Sequence, residues 1–92
     1  MTNQLIKLSE ITQLTKRSRA MIYKDICAGL FPRQIHLGGE NTRGAYFPAD
    51  EVNAIILARS AGYNDNQIKV LVTTLEEQRR DRFQQLLEAI SE

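Results

Sequence analysis

From Asn66 to Glu92 the sequence contains neither glycine nor proline, and so long a run without either residue reads as one continuous helix. Tyr63-Asn64-Asp65 supplies the short connection and the N-cap that start it. Apolar residues recur along it at helical spacing in two groups: Ile68, Leu71, Val72 and Leu75, then Phe83, Leu86, Leu87 and Ile90. Between them Glu76-Glu77-Gln78-Arg79-Arg80-Asp81-Arg82 makes a charged break. The first group suits packing on a core. The second lies in water unless the helix folds back or meets a second copy, at roughly 25 cal/mol per Å² of apolar surface left exposed. Self-association is the simpler solution. It makes Leu75, Phe83, Leu86, Leu87 and Ile90 the expected contacts of a homodimer.

A chain of 92 residues has room for one modest core and one appended element. The expected division is a folded unit over 1–62 and a C-terminal helix over 63–92. Because 42% of the residues are hydrophobic and 25% charged, the composition is that of an ordinary soluble domain and excludes a disordered chain. No apolar run approaches the roughly 20 residues of a membrane span. Met1-Thr2-Asn3-Gln4 has neither the basic nor the apolar region of a secretory leader, so the expected compartment is the cytoplasm. One cysteine, Cys27, and one histidine, His36, form no disulfide and no zinc set.

The first half reads as two short helices joined by a tight turn. Ser9 is a favoured N-cap and Glu10 suits the first turn of a helix whose inward residues are Leu8, Ile11 and Leu14. Lys16-Arg17 breaks the apolar pattern, and Ser18 caps a second helix expected over Arg19 to Ala28. Gly29 ends it in the left-handed conformation and Pro32 prevents its resumption. Ile22 and Ile26, flanked by Met21 and Cys27 and followed by Leu30, form its core stripe. Cys27 is therefore expected to be a buried, inert thiol. The other face presents Arg19, Ala20, Tyr23 and Lys24, with Lys16 and Arg17 just ahead. A basic, slender, partly aromatic helix face suits a DNA major groove, although solvated helix faces also carry Lys and Arg. The tight upstream turn favours the groove, because two helices so joined must cross and present the second one.

After Pro32 the period changes to two. Ile35 and Leu37 alternate with Gln34 and His36, Gly38 to Gly44 supplies turn residues, and Ala45-Tyr46-Phe47 is strand-like again. This reads as a β-hairpin wing with Arg43 at its tip, free to follow a phosphate backbone or enter a minor groove. His36, alone on the face opposite Ile35 and Leu37, reads as an ordinary surface residue. Pro48-Ala49-Asp50-Glu51 then opens a third helix ending near Ala61, with Gly62 as its stop. The fold class is thus mainly α with a small β-hairpin: a winged helix-turn-helix followed by a long C-terminal helix.

Charge is divided along the chain. Residues 1–47 carry seven basic and three acidic residues, net +4, whereas 48–92 carry five basic and eight acidic, net −3. A polyanion is expected to meet the first half. Catalytic chemistry is not expected, since no nucleophile has an evident base, no paired carboxylates occupy a plausible cleft, and Gly38-Gly39 lacks the remaining glycines of a dinucleotide loop. The expectations are no enzyme activity, no cofactor, no metal, no small-molecule substrate and no membrane. Double-stranded DNA is the expected partner, through Lys16, Arg17, Ser18, Arg19, Ala20, Tyr23, Lys24 and Arg43.

Leu5-Ile6-Lys7-Leu8-Ser9-Glu10-Ile11, Ser18-Arg19-Ala20-Met21-Ile22-Tyr23-Lys24, Gly29-Leu30-Phe31-Pro32 and Asp50-Glu51-Val52 together resemble the AlpA family of prophage regulators, relatives of MerR-like and excisionase winged helices. The resemblance covers residues 5 to about 60. It implies a winged helix-turn-helix whose second helix enters the major groove and whose wing touches the backbone or minor groove. The implied role is transcription regulation of prophage or genomic-island genes, with an excisionase-like recombination directionality factor or a protein-binding adaptor as alternatives. Three departures stand out. Lys16 and Arg17 occupy a turn where the family commonly has glycine and an apolar residue, Phe47 stands for a tryptophan at the end of the wing, and the C-terminal helix runs past the family's core domain.

Overall fold

The computed structural model describes residues 4–38 and 44–91. The element order is β1 (Leu5–Lys7), α1 (Leu8–Thr15), α2 (Arg19–Cys27), β2 (Tyr46–Pro48), α3 (Ala49–Ser60) and α4 (Asp65–Ile90). Mainly helical with one small antiparallel sheet and a long C-terminal helix, it has the expected class of fold. The sheet pairs differently from the hairpin read in the sequence. Leu5, Ile6 and Lys7 stand opposite Pro48, Phe47 and Tyr46, so the segment before α1 is a strand. Only Ile35 of the expected first hairpin arm reaches β2, exchanging both backbone hydrogen bonds with Tyr46 at 2.7 and 3.0 Å. Arg43 and the rest of the expected tip, residues 39–43, lie outside the described residues.

Helix ends follow local chemistry. The Ser18 hydroxyl accepts from the Met21 N–H at 3.2 Å, and Asn64 with Gln67 forms a reciprocal capping box at 2.9 Å in each direction. Gly29, at φ +78°, lets the Leu30 N–H return to the Asp25 carbonyl, and Gly62, at φ +94°, lets the Tyr63 N–H return to that of Ala58. One start differs from expectation. α1 begins at Leu8 with Lys7 as its N-cap, not after Ser9, because β1 runs directly into the helix and the Leu8 N–H is already taken by the Ala45 carbonyl at 3.2 Å.

The core joins every element. Leu8, Ile11, Ile22, Phe31, Phe47, Val52, Ile55, Ile68 and Val72 are buried together, with Ile6, Ile26, Leu30, Leu71 and Leu75 packed against them. Phe47 meets Phe31 edge-on with ring centroids 5.4 Å apart, filling the place expected of a larger aromatic. Ile68 and Val72 carry the core past residue 62 into α4, so the helix begins as part of the folded unit. Two apolar assignments need correction. Leu14 is 58% exposed and Met21 is exposed too: of the apolar residues of α1 and α2 only Leu8, Ile11 and Ile22 are buried, with Ile26 packed against them. Cys27 is likewise exposed. Five positions beyond Ile22, it has rotated off the core stripe onto the outer face of α2.

Candidate nucleic-acid interface

A three-residue turn, Lys16 to Ser18, aims α2. Lys16 adopts φ 59° and ψ 25°, the only left-handed non-glycine conformation among the described residues. Its reversal of the chain lets Ser18, in extended conformation, cap the next helix. Ile22, fully buried, fixes the inner side of α2. Arg19, Ala20, Tyr23 and Lys24 are consequently exposed, as the alternation of the sequence implied. At 100° per residue Cys27 falls between Tyr23 and Lys24 on the same outward stripe.

Arg17 lies elsewhere. Its guanidinium donates two hydrogen bonds to Asp25, Nε to Oδ2 at 2.9 Å and Nη2 to Oδ1 at 3.0 Å, on the flank of α2 away from Arg19. Asp25 was not singled out in the sequence. Its eight-residue separation from Arg17 fits no helical pair, since Arg17 precedes the helix and reaches along it. On the opposite flank Arg19 and Tyr23 border a cleft of about 250 Å³ completed by Lys7, Ser9 and Tyr46. Lys7 reaches it because β1 pairs it with Tyr46. What the sequence did not reveal is the partner of Leu5-Ile6-Lys7, the distant segment Tyr46–Pro48.

The charge division acquires a spatial meaning. Arg59, Arg79 and Arg82 of the second half are paired with Asp65, Glu51 and Asp50. Among the described residues Lys7, Lys16, Arg19 and Lys24 form no ion pair. Four unpaired cations thus gather around α2 and its N-terminal turn; Lys69 and Arg80 of α4 form no ion pair either, but they share their helix with Glu77, Asp81 and Glu88, which are likewise unpaired among the described residues. Unpaired positive charge is concentrated on the side of the molecule that α2 presents.

The chain leading to the Ile35 bridge is held from behind. Glu51, buried at 3% exposure, receives the Arg79 guanidinium, whose Nε lies 2.9 Å from Oε2. The same guanidinium donates to the Arg33 carbonyl at 2.9 Å, and Glu76 accepts from the Arg33 N–H at 3.4 Å. Its hydrogen bond to Glu51 holds Arg79 above the usual arginine pKa, against the opposing effect of burial. Arg33 stands two residues before the Ile35 bridge, so α4 secures the chain that leads to β2. The charged break in the α4 stripe is therefore a contact region.

Among the described residues no cluster of three or more His, Cys, Asp or Glu side chains is placed to hold a metal, and no helix is long and apolar enough to cross a membrane. Residues 4–42 match the family model described as prophage CP4-57 regulatory protein (AlpA). The match takes in β1, α1, α2 and Gly29-Leu30-Phe31-Pro32 and ends at residue 42, short of Asp50-Glu51-Val52, which the resemblance in the sequence also included. No curated protein and no solved structure matches the chain.

Proposed function

We propose that this chain, of the AlpA regulatory type over residues 4–42, is a sequence-specific DNA-binding regulator of transcription from prophage or genomic-island genes. The observation that carries the reading is the exposed face of α2, where Arg19, Tyr23 and Lys24 stand free of ion pairs among the described residues, inside the segment that matches a regulatory family. α2 lies in the major groove with Arg19, at its N-terminal end, reading a base edge. Ala20 approaches closely, and Tyr23 and Lys24 continue the contact. Lys16 and Lys7 lie toward phosphates, and Arg43 of the wing follows the backbone or minor groove. Ser18 and Arg17 serve the interface by fixing α2, one as its cap and the other through Asp25. The protein acts as a homodimer through the end of α4, matching paired half-sites.

Gel-shift titrations of fragments from around its own gene, in excess competitor DNA, test the reading. A selective complex is expected, and none with any fragment would sink it. On the selected site Arg19→Ala is expected to cost about 1–3 kcal/mol and relax preference at one base position. An equal loss on scrambled DNA makes Arg19 a phosphate contact instead.

A further inference from the structure

α4 ends in an overhang. Its last ion pair to the body is Arg82 with Asp50 at 3.3 Å. Beyond it Phe83, Leu86, Leu87 and Ile90 are 59%, 54%, 43% and 69% exposed. By helical period Phe83, Leu86 and Ile90 continue the side of α4 that buries Ile68 and Val72. Along the first half of α4 that side is occupied by the core, so a second α4 has access only to the overhang. At the roughly 150–200 Å² that a large side chain offers, the four residues expose on the order of 400 Å². Two tails laid on each other bury about twice that, which is the size of a casual contact and short of the roughly 1,600 Å² of a stable interface.

A complementary surface exists at the other end of the molecule. A groove of about 660 Å³ opens where α1, α2, α3 and the start of α4 converge, with Leu14, Leu30, Phe31, Ile55 and Ile56 among its lining residues. Leu14 and Ile56 are exposed there. Two ion pairs sit among the same lining residues, Arg17 with Asp25 and Arg59 with Asp65, so the groove is apolar inside and balanced in charge at its rim. From Phe83 to Ile90 the tail carries one charge, Glu88, and suits such a rim. α4, at 26 residues, is roughly 39 Å long and spans most of the 44 Å longest dimension. A continuous helix cannot bring its own tail to a groove that opens beside its start.

We infer that each α4 tail docks into this groove on a second copy, in a two-fold exchange with the α4 helices antiparallel. The inference rests on the dimer reading above and names the surface that receives the tail. An antiparallel pair sets each tail beside the partner's α4 start, where the groove opens. Two such seats, each covering a tail and a comparable area of groove, reach the size of a stable interface. The groove lies on the Asp25 flank of α2, so docking leaves Arg19 and Tyr23 open to DNA.

Sedimentation equilibrium of the full chain tests it, with two groove variants, Leu14→Asp and Ile56→Asp, and one tail variant, Leu86→Asp with Ile90→Asp. All four positions are exposed, and thermal melts verify that each variant folds. The wild type is expected to dimerise, and both groove variants and the tail variant to weaken the dimer at least about tenfold, the effect of losing 1.4 kcal/mol. If the tail variant is monomeric while both groove variants dimerise like the wild type, the tails meet each other and the groove assignment is overturned, with the dimer reading intact. A wild type that stays monomeric at 100-fold the concentration needed for DNA binding overturns the dimer reading itself.

Discussion

Lys16 holds a conformation that costs an L-residue about 1–2 kcal/mol relative to the right-handed region, and it does so at the turn that aims α2. Glycine adopts that conformation freely but loses about 0.5–1 kcal/mol in chain entropy. Lys16→Gly is therefore expected to raise stability by up to about 1 kcal/mol while removing one cation from the proposed DNA-facing side, which lowers the salt slope of binding by about one counterion. Chemical denaturation and salt-dependent binding isotherms read the two effects separately. Lower stability in the glycine variant would show that the Lys16 side chain contributes more to the turn than its backbone costs. Cys27 supplies a probe of the same face. As an exposed thiol it is expected to react quickly with a bulky reagent, and Cys27→Ala to change stability by less than about 0.5 kcal/mol. Cognate DNA is expected to slow that labelling more than scrambled DNA. A labelling rate indifferent to both would remove the outward stripe of α2 from the interface.

At the scale of elements, the Glu51–Arg79 pair predicts an asymmetry. Glu51 is enclosed, whereas the Arg79 side chain keeps a quarter of its surface in water and can turn outward if its partner is lost. Arg79→Met, which strands a buried carboxylate, is expected to cost about 3 kcal/mol, and Glu51→Gln about 1–2 kcal/mol. Urea melts of both single variants and the double variant give the coupling, and equal costs would mean that Glu51 reaches solvent when unpaired. This pair also marks where sequence reading stopped. α2, α3 and α4 were legible because their signals are local: Ser18 and Asn64 as caps, Gly29 and Gly62 as stops, apolar residues at helical spacing. Glu51 gave no such signal, since an acid in the first turn of a helix is ordinary there and its partner is 28 residues away. β1 was hidden for the same reason. Three residues have no identity as a strand until Tyr46–Pro48 lies beside them. The exposure of Arg19, Tyr23 and Lys24 was readable, but Cys27 was misread and the Arg17–Asp25 pair went unanticipated, because side-chain directions depend on where the helix sits against the core.

For the whole molecule the question is where the folded unit ends. Composition and the glycine at position 62 suggest a boundary before α4, yet Ile68 is fully buried, Val72 nearly so, and Arg79 closes over Glu51. A chain ending at Ser60 loses both apolar side chains and the arginine. At about 2–5 kcal/mol for removal of each large core residue, that loss is comparable with the roughly 5–15 kcal/mol that holds a small domain folded. Such a chain is expected to melt without a cooperative transition. A chain ending at Arg82 keeps Ile68, Val72 and the ion pairs to Glu51 and Asp50 while losing only the overhang. It is expected to fold with a sharp transition, to sediment as a monomer, and to bind a single half-site with the base preference of the full protein but without its added affinity for paired sites. Circular dichroism melts and sedimentation of the two shortened chains beside the intact one read all of this. A folded, DNA-binding chain ending at Ser60 would make α4 a dispensable appendage, and a dimer formed by the chain ending at Arg82 would take self-association away from Phe83, Leu86, Leu87 and Ile90.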